Sequence, residues 1–347
     1  MELGTRADII DLDETIGAVV ADQVFSGVVR VDVDGEVHER VYGLADRAHD
    51  IPVTAGHRFG LASGAKPVTA LTVVRLAQDG VLPLDTTARS LLGDDLPLVA
   101  DDVTVEQLLA HRSGIGDYLD EDEIEDFAEP VLSRPVHQLY DPETYLPLID
   151  GYPTAFPAGS AFAYNNGGYV LLALLAERAA GESYYDLVDR LVLQPAGMTA
   201  SGFLRLDRLT GDVATGYIHP DDHPDRLRVN TLHLPVRGCG DGGLYSTVAD
   251  IRSFWTALFA GAIVDDDWRQ RMHTPLSDAD RLRYGLGFWV PRDARPWVRI
   301  HGGDAGVSFV SVHDPSRDLT HTVISNWTDG AWPVSRELSV ALGTALD

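Results

Sequence analysis

The chain has 347 residues, 45% of them hydrophobic and 23% charged, a composition that fits a folded globular protein and excludes an intrinsically disordered one. A formal net charge of −26 argues against nucleic acid or an anionic membrane surface as a partner, and no apolar run is long enough to span a bilayer. The acids are 40 Asp against 13 Glu, and the bases are 26 Arg against one lysine, Lys66, a bias that points to a GC-rich genome or a salty cytoplasm.

The first residues carry acids where a signal peptide needs a basic start and an apolar core, so a cytoplasmic protein is expected if the chain is complete, and a secreted or periplasmic one if a leader has been removed. Residues 7–22 alternate acids with Ile, Leu and Val at helical spacing. Residues 24–31 (VFSGVVRV) and 37–42 flank Asp34-Gly35, which predicts a hairpin. Leu- and Ala-rich helical spacing then recurs over 66–79, 104–111, 168–180 and 183–193. Strand patterns return over 287–290, 298–301, 307–312 and 320–325, and a last helix is expected over 333–345. Strands at both ends of the chain and helices in its middle imply an α+β fold. One sheet is built from residues 1–61 and 240–347 and flanked by the N- and C-terminal helices, with an all-helical lobe, 62–239, inserted and the site in the cleft between.

The lone lysine lies three residues after Ser63, at a helix start, so amine and hydroxyl share one helix face. A serine hydroxyl is a weak nucleophile until a base takes its proton, and a lysine amine serves as that base when its surroundings lower its pKa. Helix-start N–H groups add a positive field that suits a developing oxyanion. Ser-x-x-Lys alone is a weak signal, but Tyr164-x-Asn166 precedes an apolar helix farther on, and His301-x-Gly303 ends a predicted strand.

In this order and spacing the three motifs resemble those of the serine β-lactamase and penicillin-binding-protein family. The resemblance is to its class C β-lactamase, D,D-carboxypeptidase, D-aminopeptidase and family VIII esterase branch. It extends from about residue 40 to 330 through segments 108–115 (LLAHRSGI), 194–199 (QPAGMT), 240–247 (GDGGLYST) and 284–287 (YGLG). It implies a β-lactamase/transpeptidase-like fold and a serine hydrolase that forms an acyl-enzyme on Ser63. Lys66 would assist proton removal, and Tyr164 would pass a proton to the leaving group and help activate the deacylating water. Asn166, His301, Gly303 and Asp304 would bind substrate, and the N–H groups of Ser63 and Asp304 would form the oxyanion hole.

Two departures narrow the activity. Most β-lactamases of that family carry Lys-Thr-Gly where this chain has His301-Gly302-Gly303, so a titratable group replaces a permanent cation. Asp304 adds a carboxylate beside the oxyanion position, and residues 117–129 (DYLDEDEIEDFAE) add more acids near the cleft. The expected substrate is therefore a small neutral or cationic ester, amide or peptide: esterase first, D-aminoacyl amidase or D,D-peptidase next, then weak β-lactamase. An acyltransferase and a non-catalytic binding module are the alternatives, the latter opposed by retention of Ser63, Lys66 and Tyr164. No cofactor or metal is expected, since 219–225 (HPDDHPD) is ligand-rich but broken by proline. The single Cys239 excludes an internal disulfide, and the Asn326-Trp327-Thr328 sequon reads as a chance match. The oligomeric state is not readable.

Overall fold

The computed structural model describes residues 11–22, 25–121, 124, 132–219 and 226–346. Eight strands form its main sheet: β1 (Gly27–Val33), β2 (Glu36–Tyr42), β3 (Ser277–Ala279), β4 (Leu282–Tyr284), β5 (Trp289–Pro291), β6 (Val298–Asp304), β7 (Val307–Asp314) and β8 (Leu319–Ser325). Their order across the sheet is β2-β1-β8-β7-β6-β5-β4-β3, and every neighbouring pair is antiparallel. The β1–β2 hairpin turns at Asp34 and Gly35, both at positive φ (52° and 80°), the two left-handed positions that the tightest twisted hairpin turn requires. The chain therefore starts one half of the sheet and returns after about 230 residues to complete it, as the end-to-end strand pattern implied.

The helices include α1 (Leu12–Asp22), α2 (Lys66–Gln78), α3 (Val105–Leu109), α4 (Asn166–Ala180), α5 (Tyr184–Val188), α6 (Val248–Phe259) and α7 (Ala331–Leu342). Alternation along the strands separates two cores. Val29, Val31 and Val323 point into a small core with Leu12, Ile16, Val334 and Leu338 of α1 and α7. Val28, Ile300, Phe309 and Ile324 point the other way, into the large core shared with α2 and α4. Covered on both faces, β7 and β8 are buried along their whole length.

The structure moves several expected boundaries. Residues 7–10 of the first predicted helix lie outside the described residues, and α1 begins at Leu12 behind an Asp11 side chain that accepts the N–H groups of Asp13 and Glu14. The helix expected over 183–193 is α-helical only over α5 and continues as a wider π-helical turn, Asp189–Leu193. The last helix stops at Leu342, where Gly343 takes φ +70°. Strands β3 and β4 were not anticipated, because three residues show too little alternation to read. Asn326 is buried with its Nδ2 donating to the carbonyls of Leu44 and Thr215 (3.0 and 2.8 Å), which agrees with a chance sequon. Among the described residues no helix is long and apolar enough to cross a membrane.

Candidate active site

Ser63 sits in a 3₁₀ turn, Ala62–Ala65, that feeds directly into α2. Side chains three residues apart eclipse in such a turn, so Ser63 and Lys66 are stacked more directly than on an α-helix. The preceding Ala62 has φ +46°, a strained conformation for a residue with a side chain, right beside the nucleophile. The turn is held by its neighbours: Leu61 N–H donates to the Leu244 carbonyl at 2.8 Å, and Phe59–Gly60 pairs with Tyr245–Ser246.

Lys66 is 2% exposed, and its Nζ has three partners: Ser63 Oγ (2.7 Å), Asn166 Oδ1 (2.7 Å) and the Asp241 carbonyl (2.9 Å). The orientation of Asn166 is set from behind, because its Nδ2 donates to the Leu119 carbonyl (2.9 Å) and to Glu121 Oε1 (3.0 Å). Burial pushes the Lys66 amine below the ordinary lysine value, against the opposing pull of Glu121, Asp241, Asp117 and Asp304. A neutral amine has two N–H bonds and one lone pair. In the neutral amine both N–H bonds would go to Asn166 Oδ1 and the Asp241 carbonyl, which can only accept, and the lone pair would face the Ser63 hydroxyl, to which the charged amine donates. This geometry can draw the proton from Ser63.

Tyr164 lies over the same amine, with Nζ 4.7 Å from its ring centroid. Burial, then the Glu121 charge, drives its phenol well above the usual value, while a hydrogen bond with Ser63 pulls the other way. Tyr164 is thus a phenol able to pass a proton on, and Lys66 is the group inclined to accept one. The His111 ring packs 4.4 Å from the Tyr164 ring, and its Nδ1 accepts the Asn165 N–H at 3.0 Å. Asn165, not Asn166, caps α4, accepting the Gly168 N–H at 2.6 Å. The Asp117 carboxylate takes the N–H groups of Asn166 (2.6 Å) and Gly167 (2.8 Å). The capping duties fall to Asn165 and Asp117, which frees the Asn166 side chain to hold Lys66.

Strand β6 brings His301, Gly302, Gly303 and Asp304 past the nucleophile. Its pairing with β5 is confined to Trp289↔Arg299, whereas β7 pairs with it along its whole length. Beyond Arg299 the edge next to Ser63 is therefore unpaired by β5. Gly302 is the point of closest approach: a Cβ there would lie 2.2 Å from the Leu61 carbonyl and 2.6 Å from Ser63 N. The space left at Gly303 is filled instead by Trp332 of α7, 2.9 Å from the position of a Cβ. His301 stacks on Trp289 at 5.3 Å, and its Nδ1 accepts from Arg299 Nε at 3.3 Å. Burial, then Arg299 and Lys66, hold the imidazole well below its usual pKa. The titratable group expected here is thus biased toward its neutral form, and with Nδ1 accepting from Arg299 its proton would sit on Nε2.

A chamber of about 970 Å³, its open mouth included, lies in front of Ser63. Its carboxylates are Glu121, Asp241 and Asp304, and its apolar wall includes Leu119, Leu132, Leu204, Leu206, Leu234 and Val307. Burial, reinforced by Asp241 and Glu121, pushes Asp304 up to about 7, and burial raises Asp117 to about 6. Tyr118 donates its hydroxyl to Asp241 Oδ2. Of the acidic stretch 117–129, Asp117 and Glu121 reach the site, while 122, 123 and 125–129 lie outside the described residues, as do 220–225 of the ligand-rich loop. Among the described residues no group of three or more His, Cys, Asp or Glu side chains could hold a metal.

The structure thus brings Ser63, Lys66, Tyr164, Asn166, His301, Gly303 and Asp304 around one cleft. Sequence reasoning set Asp117 near the cleft with the rest of 117–129 but missed its hold on the start of α4, and it missed the Asp241 carbonyl and Trp289. The glycine density around Asp241 was a legible hint of close backbone approach; the other two left none.

The chain is similar to the penicillin binding protein of Bacillus halodurans, with 32% identity over 95% of this chain and 99% of that one and a TM-score of 0.88. It is 34% identical to the esterase EstB of Burkholderia gladioli over 58% of this chain and 52% of that protein. It is 26% identical to the D-aminopeptidase of Gluconobacter oxydans over 91% of this chain and 59% of that protein. The antiparallel sheet with its helices is a β-lactamase/transpeptidase-like fold. Residues 12–344 match the family model described as Beta-lactamase, so the chain belongs to the beta-lactamase family and is a hydrolase.

Proposed function

We propose that the protein is a serine hydrolase that acylates Ser63 and acts on small esters or D-aminoacyl amides. The observation that carries this reading is the coordination of Lys66 by Ser63 and by two oxygens that can only accept, so that a neutral amine would turn its lone pair to the Ser63 hydroxyl. Lys66 removes the proton and Ser63 attacks. Tyr164 then delivers a proton to the leaving group and in the second half-reaction helps to activate water. Asn166 holds the Lys66 amine, and His301 offers an uncharged Nε2–H donor. The N–H groups of Ser63 and Asp304, the latter on the free edge of β6, receive the oxyanion. The division into a sheet part, 1–61 with 240–347, and a helical lobe, 62–239, with this cleft between them, belongs to the same proposal.

The substrate class rests on charge. Glu121, Asp241 and Asp304 face the chamber and His301 is biased toward its neutral form, which favours an ammonium or a neutral group over a carboxylate. An efficient β-lactamase or D,D-carboxypeptidase needs the opposite. The D configuration is carried over from the similarity to a D-aminopeptidase. The test is a panel of methyl esters, primary D-aminoacyl amides and a chromogenic cephalosporin, run with the protein and with Ser63→Ala and Lys66→Ala. The expected result is hydrolysis of the first two classes and a Ser63 adduct by intact mass. Activity that survives Ser63→Ala would refute the mechanism.

A further inference from the structure

Ser63 stands between two spaces of unequal size. On one side is the chamber of about 970 Å³. On the other is a pocket of about 190 Å³, its open mouth likewise included, that shares Ser63 with it and is lined by Lys66, Tyr164, Trp289 and His301 among others. The two proton carriers, Lys66 and Tyr164, line the small pocket and not the chamber.

Acylation forms the bond from Ser63 Oγ to the carbonyl carbon and breaks the bond from that carbon to the leaving oxygen or nitrogen. The hydroxyl proton passes to Lys66 Nζ, and a proton returns through Tyr164 to the departing atom. That atom must therefore lie on the Tyr164 side, in the small pocket, and the acyl group must lie in the chamber. The small pocket is limited by Trp289. Its indole is stacked 6.2 Å from the Tyr164 ring and 5.3 Å from His301, and meets Tyr284 edge-on at 4.6 Å. These three ring contacts hold the half-buried indole against the pocket.

We propose that this site sorts the two halves of its substrate by size. It takes a bulky apolar or amine-bearing acyl group joined to a small leaving group (methanol, ethanol, ammonia), and Trp289 is the residue that excludes larger ones. The inference rests on the acyl-enzyme reading above and adds to it which side of the scissile bond is restricted.

The test uses two ester series with the full chain. The first holds the acyl group at 3-phenylpropanoyl and changes the alcohol from methyl through butyl to benzyl. The second holds methanol and lengthens the acyl group from acetyl to 3-phenylpropanoyl. Across the first series kcat/KM is expected to fall at least about tenfold, and across the second to rise. Trp289→Ala should shrink the methyl-to-benzyl ratio at least about fivefold without reordering the acyl series, and Trp289→Phe, a milder change that guards against misfolding, should shrink it less. Equal rates for methyl and benzyl esters, with Ser63 acylated by both, would overturn this inference and leave the acyl-enzyme intact. No Ser63 adduct from any ester in either series would overturn the acyl-enzyme reading itself.

Discussion

Lys66 has three hydrogen-bond partners, and Ser63 is the one that can give it a proton. Arginine cannot take this part, because its guanidinium does not lose its proton. Lys66→Arg should therefore put a permanent positive charge in place of an amine that can lose its proton and lower acylation by about 10²–10⁴-fold, the usual worth of a general base, read as the initial rate of methyl ester hydrolysis; a loss under about threefold would contradict the assignment. Asp304 gives a second prediction at this scale. With its carboxyl near 7, it is largely neutral at pH 6 and ionised at pH 8. For a permanently cationic substrate such as a betaine methyl ester, KM should fall as pH rises through 7, and Asp304→Asn should flatten that dependence. Asp241, Glu121 and Lys66 face the same group, so an uncharged methyl ester run in parallel separates the ammonium effect from theirs. A KM for the cationic ester that does not change from pH 6 to 8 would dismiss the idea. These residues were readable from the motifs, because Ser-x-x-Lys, Tyr-x-Asn and His-x-Gly place their chemistry within a few covalent bonds. The Asp241 carbonyl was not, since backbone direction leaves no mark in side-chain identity.

At the scale of elements, the site depends on how closely β6 meets the 3₁₀ turn. A methyl at Gly302 would sit 2.2 Å from the Leu61 carbonyl, a backbone atom with nowhere to go. Gly302→Ala should push the strand off the turn and cost at least about 10²-fold in kcat, since a shift of about 1 Å in a reacting geometry costs that much. Gly303→Ala meets only the rim of the Trp332 ring, so its loss should be several-fold smaller. Far-UV circular dichroism separates a displaced strand from an unfolded protein, and equal kinetics for the two variants would refute the argument. The start of α4 shows the same dependence on exact placement. Asp117 holds its first N–H groups, so Asp117→Ala should cost about 1–2 kcal/mol in urea unfolding. Helices α2, α4 and α7 were legible because an apolar stripe repeats over three turns or more, with capping residues or glycines at their ends. The three-residue strands β3 and β4 were not, because pairing with neighbours, not local pattern, makes them strands.

For the molecule as a whole, acid sensitivity is set by its buried histidines. In five histidines burial is the leading cause of a lowered pKa: His273 and His321 are pushed down to about 3 and His313 to about 4, and His111 and His301 also fall well below the usual value. A depressed histidine pKa means that the unfolded chain binds the proton first, so the stability is complete above pH 6.5 and is lost as pH falls toward 3–4. By pH 5 each such histidine costs about 2 kcal/mol. The raised carboxyls of Asp304, Asp117, Asp241 and Glu177 act in the opposite sense, Asp304 and Asp117 gaining stability as pH falls below about 7 and 6, and they offset part of this loss. The urea midpoint should hold between pH 7 and 8 and drop steeply from 6.5 to 5; a midpoint unchanged at pH 5 would show that these imidazoles are not buried neutral. The sequence by itself determined the hairpin, the long helices, the family and the Ser63–Lys66 pair proposed as nucleophile and base, because those depend on spacing along the chain. Only the tertiary structure decided that burial lowers the pKa of His301 and Lys66, that Asn166 and Asp241 share the Lys66 amine with Ser63, and that the two sides of the nucleophile differ in size. Desolvation, Coulomb forces and cavity shape act over a few ångströms between groups such as Lys66, Asn166 and Asp241, which lie 100 and 175 residues apart along the chain.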